Sequence, residues 1–302
     1  GRRIMDEVTS KNTDKHWDHS TPPLDTNKKP LNEQAMQAQA PKAKKKWRFN
    51  INTGIKILSV LIILLLWYVI TKLELVSATL FPSPAATWVA FTELLTNGYK
   101  GSMLWEHWGH SMYRMLLAFL LAVVTAIPLG LWSGYSSKVQ AALDPLVEFY
   151  RPIPPLAYYV LLILWFGIGD MSKIVLLYLA AFPPMYIAAM SAVRGVYKDQ
   201  IHSAQSLGAN KWQVFRYVIF PACLPNIFTG LRTATGFTYT TLVASEIVAA
   251  VNGIGWMVLD ASKFLRSDVM FVGIIIMGFT GIFLDWCIRS IERKVVPWKG
   301  KA

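Results

Sequence analysis

Apolar runs long enough to cross a hydrocarbon core, separated by polar or basic connections, organise this chain. The first runs from Ile55 to about Leu73, and the second from about Met115 to Trp132 with Pro128 inside it. The third is longer, from about Ala141 to Phe166, and is broken by Pro152, Pro154 and Pro155. The fourth covers about Ile174 to Val193 with Pro183 and Pro184, the fifth about Ile227 to Val251, and the last about Val269 to Arg289. Proline removes a helix hydrogen bond, and at membrane depth such a break survives only where protein or a wet cavity satisfies the freed carbonyls. The third element is therefore expected to line a pathway. Between the first two spans, Leu80-Phe81-Pro82-Ser83-Pro84 predicts a rigid turn before a short amphipathic stretch from Ala85 to Leu95. The segment holding Trp105, Glu106, His107, Trp108 and His110 reads as a helix lying at the outer interface, where indole rings settle. Gly253, Gly255 and Trp256 open another short outer segment that ends near Asp268.

Composition excludes an ordinary soluble domain. The 302 residues are 54% hydrophobic and only 16% charged, against about a quarter charged in average soluble domains. The net charge of +12 is unevenly placed. Lys and Arg crowd the N-terminal tail, the loop from Arg194 to Arg216 and the end from Arg289 onward, with Lys42, Lys44, Lys45, Lys46 and Arg48 directly before the first span. Basic residues that flank apolar runs mark the cytoplasmic side rather than a nucleic-acid face. The sequence thus predicts an all-α membrane protein with six transmembrane helices and both termini cytoplasmic. Residues 1–46 are expected to be a disordered basic cytoplasmic tail, and 47–302 the membrane domain. The polar N-terminus predicts no cleavable signal peptide. Cys223 and Cys287 read as packing residues.

Catalytic chemistry is not expected. No phosphate-binding G-x-x-x-x-G-K-[ST] loop occurs, nor an H-E-x-x-H or a nucleophile–base arrangement. Gly167-Ile168-Gly169 and Gly253-Ile254-Gly255 lack the strand–helix context of a nucleotide fingerprint. His16, Asp18 and His19 in the tail, and Glu106 with His107 and His110, could mimic metal clusters, but no metal site is expected. Any uphill transport must draw its energy from another subunit. The connection between the fourth and fifth spans, about 194–222, is long for a compact membrane protein, and such connections are usually functional. It holds His202, Ser203, Ala204, Gln205, Ser206, Leu207 and Gly208, a small helix ended by a glycine able to adopt positive φ. A second helical stretch with Trp212, Phe215, Val218 and Ile219 runs back to the membrane and is expected to be punctuated by Pro221.

This loop resembles the EAA loop of ABC-importer permeases, E-A-A, three residues, Gly, nine residues, I-x-L-P. Gly208 and Pro221 keep that spacing, while His202 replaces Glu, Ser203 the first Ala, Val218 Ile and Phe220 Leu. Leu143-Asp144-Pro145, the run from Glu148 to Ala157, Trp165 to Gly169, Gly230-Leu231-Arg232 and Val296-Pro297-Trp298 are similar to the taurine, sulfonate, nitrate and bicarbonate branch. The resemblance implies a type I importer permease in the bacterial inner membrane. Its expected partners are a second copy of itself, two ATPase subunits that bind ATP and Mg, a substrate-binding protein and membrane lipid, with no cofactor on this chain. Residues His202 to Gly208 and Pro221 would couple to the ATPase. Taurine is the first expected substrate, with an alkanesulfonate, nitrate or bicarbonate as alternatives. An ion-coupled carrier or channel remains the reading from a different class.

Charges inside apolar spans are costly and must face protein or water. Asp144, Glu148 and Arg151, spaced by four and three, share one stripe of the third helix. Arg232 and Glu246 lie in the fifth. Two roles stay open for these five: mutual pairing that holds helices or a gate, or contact with substrate on the pathway. Tyr150, Tyr158 and Tyr159 beside the proline break are candidates to narrow that pathway.

Overall fold

The computed structural model describes residues 51–299, with side chains from residue 54 onward; the expected tail, residues 1–46, lies outside the described residues. Two compact units divide the chain, Gly1–Leu58 and Ser59–Ala302. Of the first, the described residues form the opening turns of α1 (Ile51–Lys72). Leu61 to Leu66, later in the same helix, are all exposed. A helix apolar on every side is stable in lipid and nowhere else on a protein surface.

The second unit continues through α2 (Pro84–Thr96), α3 (Leu104–Tyr135), α4 (Ser137–Tyr150), α5 (Pro155–Phe166) and α6 (Asp170–Arg194). Then come α7 (Lys198–Ser206), α8 (Lys211–Val214), a π-helical turn (Phe215–Ile219), α9 (Phe220–Ala249), α10 (Ile254–Lys263) and α11 (Ser267–Val295). Among the described residues five helical stretches are long and apolar enough to cross a membrane, and the pair α4–α5, bent by 97°, makes a sixth if it counts as one span. The packing decides that it does. Met112 and Met115 of α3 meet Ile174 and Leu177 of α6, while Leu131 near the far end of α3 meets Ala189 and Val193 near the far end of α6. The two helices therefore run parallel, so the chain between them must return the full distance, and α4 with α5 carries it.

The bend between α4 and α5 is built from sequence. Arg151 keeps helical angles before Pro152, but Pro154, which precedes Pro155, is pushed out of the helical region at φ −56° and ψ 131°. Pro155 then opens α5 at a position where a missing N–H costs nothing. Pro128, Pro183 and Pro184, by contrast, sit inside helices that continue through them.

At the centre, α6 packs along α3 on one side and antiparallel α9 on the other. Small residues make the approach close. Ala118, Ala122, Ala126 and Gly130 recur every fourth position of α3 and are buried, the stripe by which membrane helices gain dispersion contacts. A Cβ on Gly130 would overlap the Tyr186 carbonyl oxygen, and one on Gly230 of α9 would overlap Ala188. A second cluster joins α2, α10 and α11 through Ala90, Leu94, Met257, Ala261, Val269 and Val272.

Two expectations from sequence are corrected. Trp105 to His110 do not form a separate interfacial helix; they are the first turns of the 32-residue α3. Nor does Pro221 punctuate the return stretch. Helix runs from Lys211 to Ala249, and Pro221 sits inside it just after the π turn at Phe215–Ile219.

Candidate functional site

One end of the bundle is tied by a buried ionic knot. His107, Ser111 and Arg114 stand at i, i+4 and i+7 on α3, so they share a face. That face meets Glu246 at the end of α9 and the turn that follows it. Arg114 Nη1 donates to Glu246 Oε1 at 2.8 Å and to the Asn252 carbonyl at 3.1 Å; its Nε donates to Asp170 Oδ1 at 2.7 Å, and Nη2 to the Asn252 side chain. Glu246 also accepts from the Ser111 hydroxyl at 2.7 Å and from the Gly255 N–H at 2.9 Å. The Ile254 N–H donates to Ser111 Oγ at 3.1 Å, and the Gly253 N–H to His107 Nδ1 at 3.2 Å. That bond leaves the His107 proton on Nε2, which faces the Tyr99 carbonyl at 3.3 Å.

Gly253 is required twice over, because its φ is +114° and a Cβ there would strike the Glu246 carboxylate. Arg114 and Glu246 are each 1% exposed, so the pair survives in the interior only because every polar atom has a partner. Lys173 joins the same end, donating to the Ile168 and Gly169 carbonyls at 2.9 and 3.0 Å. Nearby, outside the spans, Asp260 accepts from Lys100 at 2.7 Å and from the Tyr99 hydroxyl at 3.0 Å. Burial, then the Asp260 hydrogen bond, push the Tyr99 phenol up to about 12. Burial works to raise Asp260 too, but the bonds from Lys100 and Tyr99 outweigh it and hold the carboxyl below its ordinary value.

The charged residues singled out from sequence are separated, not paired with one another. Asp144 accepts from the Tyr186 hydroxyl at 2.8 Å and from Gln140 at 2.5 Å, and Arg194 of α6 closes on the same Gln140. Arg232 pairs with Asp285 of α11 at 3.0 Å, and Asp285 also takes Arg289 at 2.6 Å. Glu246 belongs to Arg114. Mutual pairing is therefore corrected: Asp144, Arg232 and Glu246 each find a partner on a neighbouring helix instead. Glu148 and Arg151 are exposed and make no ion pair among the described residues.

Arg151 instead stands at the α4–α5 bend on a cavity of about 790 Å³. Tyr150, Tyr158, Asn226, Thr229 and Thr233 share its wall. Asn226, Thr229 and Thr233, spaced by three and four, form a polar stripe on an exposed face of α9. Tyr159 does not join it; it is fully buried, with its hydroxyl 3.4 Å from the Ser245 carbonyl.

At the opposite end from the knot, α7 carries His202 to Ser206 and has no buried residue. Leu207 follows, 90% exposed. Gly208 turns the chain at φ +84°, and Asn210 then caps α8 by accepting from the Gln213 N–H at 2.9 Å. Ile201 and Ala204 rest on the core beside Val214 and Ile219. Helix and turn are thus pinned by one face and leave the other free.

Arg114, Asp170, Asn252 and Asp285 were not found from sequence. The His107-Ser111-Arg114 spacing was the available signal. Among the described residues no group of three or more His, Cys, Asp or Glu side chains could hold a metal ion.

Parallel long helices around a proline-bent span, with an exposed connecting helix between α6 and α9, define a multi-pass helical membrane protein with an importer-permease fold. Residues 126–297 match the family described as binding-protein-dependent transport system inner membrane component. The chain is 40% identical over 262 residues to the taurine transport system permease protein TauC of Escherichia coli (strain K12), covering 85% of this chain and 94% of that one. It is 37% identical over 238 residues to SsuC of Bacillus subtilis (strain 168), a permease protein assigned to aliphatic sulfonates transport, covering 79% and 85%. A chain of the inward-facing MetNI methionine ABC transporter shares the fold at TM-score 0.55 and 19% identity, over 65% of this chain and 99% of that one. The protein belongs to this family of inner membrane transport components and is a permease of the ABC-importer type.

Proposed function

We propose that this chain is the pathway-forming subunit of an ATP-driven importer for taurine, working as two copies with two ATPase subunits and a substrate-binding protein. ATP and Mg belong to the ATPase, and no catalytic residue is assigned here. The observation that carries the reading is the helix Lys198–Ser206 with Leu207 and Gly208. It stands between two membrane helices with its apolar tip unpartnered and its backbone turn fixed. Residues His202, Ser203, Ala204, Gln205, Ser206, Leu207 and Gly208 dock on the ATPase, and Pro221 starts the helix that carries the movement into the bundle. ATP-driven closure brings the two docking helices together and turns the cavity outward, by rigid motion of packed helices.

The substrate-facing surface is the cavity at the α4–α5 bend. Arg151 offers the fork of donors that suits a sulfonate, and the oxygens of Asn226, Thr229 and Thr233 suit an ammonium group. Glu148, Tyr150 and Arg151 face substrate or gate it, whereas Asp144, Arg232 and Glu246 hold helices together. The similarity to SsuC favours a second reading, the same machine carrying an aliphatic sulfonate.

The test is uptake of labelled taurine into vesicles that hold this chain and its ATPase, with binding protein outside and ATP inside. Uptake that requires both supports the taurine importer. Stimulated hydrolysis without taurine uptake sends the assignment to other sulfonates. Uptake indifferent to ATP would sink the coupling role and revive an ion-coupled carrier.

A further inference from the structure

A groove of about 630 Å³ lies beside the root of the docking loop and has no part in the proposed pathway. Ile127, Pro128, Leu131, Trp132 and Tyr135 of α3 form one wall. Lys211 and Trp212 of α8, Phe215 of the π turn and Phe220 of α9 form the other. Trp212 stacks on Phe215 with ring centroids 5.9 Å apart, and Phe215 also meets Tyr135 edge-on at 6.4 Å.

The lining is graded along the helix. Its deep end is aliphatic, at Ile127, Pro128 and Leu131. Its shallow end carries an indole, a phenol and an ammonium, at Trp132, Tyr135 and Lys211. From residue 127 to residue 135 that gradient covers about 12 Å of helix. Tryptophan and tyrosine collect at the boundary between hydrocarbon and headgroups, so the gradient follows the direction of a lipid molecule. The charge is one-sided. Lys211 is the lone charged residue in the lining and makes no ion pair among the described residues. Arg216, exposed one turn further on beside the Tyr217 ring, adds a second cation.

We propose that this groove is a binding site for one anionic phospholipid. The acyl chain lies along Pro128, Leu131 and Trp132, and the headgroup phosphate sits on Lys211. A zwitterionic lipid would bring an ammonium group to a lining that holds the Lys211 cation and no carboxylate, and is disfavoured. Because Phe215 and Phe220 bracket the π turn, the bound chain packs against the segment that joins the exposed loop to α9. The lipid therefore holds that segment in register.

The experiment is native mass spectrometry of the full chain, in the assembly in which it purifies, titrated with phosphatidylglycerol or phosphatidylcholine. One phosphatidylglycerol per chain should be retained in preference to phosphatidylcholine, and Lys211→Gln should weaken that retention about five-fold, the contribution of one basic residue near a membrane surface. Trp212→Ala, at an exposed position, should weaken retention of both lipids. Lys263→Gln, on α10 at the knot end, should change neither. Equal retention of the two lipids by wild type, or unchanged phosphatidylglycerol retention in Lys211→Gln, would overturn the site. Displacement of the lipid by millimolar glycerol 3-phosphate would assign the rim to a free phosphate ester and equally overturn the lipid. Photocrosslinking from position 132 should label lipid; labelling of a peptide would show that protein fills the groove, and the proposal would fail.

Discussion

The two ends of α6 are held in opposite ways. At Asp170, itself partly exposed, the helix is tied through Arg114 to Glu246 and Asn252, and the Arg114–Glu246 pair at the heart of that knot is buried. At Arg194 it leads into a helix with no buried residue, resting on the core by Ile201 and Ala204 alone. Buried ion pairs bind their partners strongly to one geometry, because breaking one leaves an uncompensated charge in a dry interior. An exposed helix gives up little when it shifts. One end of the bundle is thus a fixed pivot and the other a handle, and substitutions at the two ends should produce different kinds of damage.

The largest effect is expected at the pivot. Arg114→Ala should lower stability by about 3 kcal/mol by stranding Glu246, read as loss of folded protein in thermal melts of the detergent-solubilised chain. Arg114→Met combined with Glu246→Met should recover part of that loss; a double variant as unstable as the single would refute the ionic account. At the handle the damage should be functional. Leu207→Asp should leave the melting temperature within a degree or so, since an exposed side chain is typically worth less than about 0.5 kcal/mol, yet cut ATP-driven uptake at least ten-fold. Gly208→Arg should do both, adding about 1 kcal/mol of left-handed backbone strain to an uncoupled ATPase; normal uptake by this variant would count heavily against docking.

Between the two lies Arg232, whose pair with Asp285 is partly exposed on both sides. Arg232→Gln should cost no more than about 1 kcal/mol, and a loss comparable to that of Arg114→Ala would erase the distinction drawn here. The smallest effect is one of pH. Asp260 is held below its ordinary value of 3.8 in the folded chain. Its contribution is therefore present above that value and is lost as pH falls through the lower, folded value. The stability gap between wild type and Asp260→Asn should close in acid, and a gap constant from neutral to acid pH would contradict the assignment.

Most of the scaffold could be read from the chain. The fourth apolar run, about Ile174 to Val193, falls inside α6, and the proline cluster at 152–155 marks the bend where it occurs. Hydrophobic runs and missing N–H groups are local properties, and local properties survive translation into structure. The fate of each charge is not local. Glu246 meets Arg114 across 132 residues and Arg232 meets Asp285 across 53, and no spacing rule within one helix predicts either. The interfacial reading of Trp105 to His110 failed for the same reason. Its indole rings suggested an interface, but His107 and Ser111 of the same segment are bonded to a distant turn. Pro221 misled in the opposite direction, because the helix continues through it behind a π turn. The turn at Gly208 was legible, since a positive-φ turn needs a particular residue at a particular place.

The π turn at Phe215–Ile219 has a consequence for how this chain tolerates changes of length. A π turn holds one residue more than the α-helical turn it replaces. Deleting any one residue of the five would let the segment relax to a regular helix at little cost in hydrogen bonds. Everything before it, the exposed helix included, would keep its orientation about the axis of α9, because four residues of α-helix sweep about the same angle as the five of the π turn. A single-codon deletion here would leave a folded, inserted protein whose handle still points the right way, whereas the same deletion further along α9 would rotate what precedes it by about 100°. The chain's length is therefore fixed less strictly at this turn than along the regular helix that follows it.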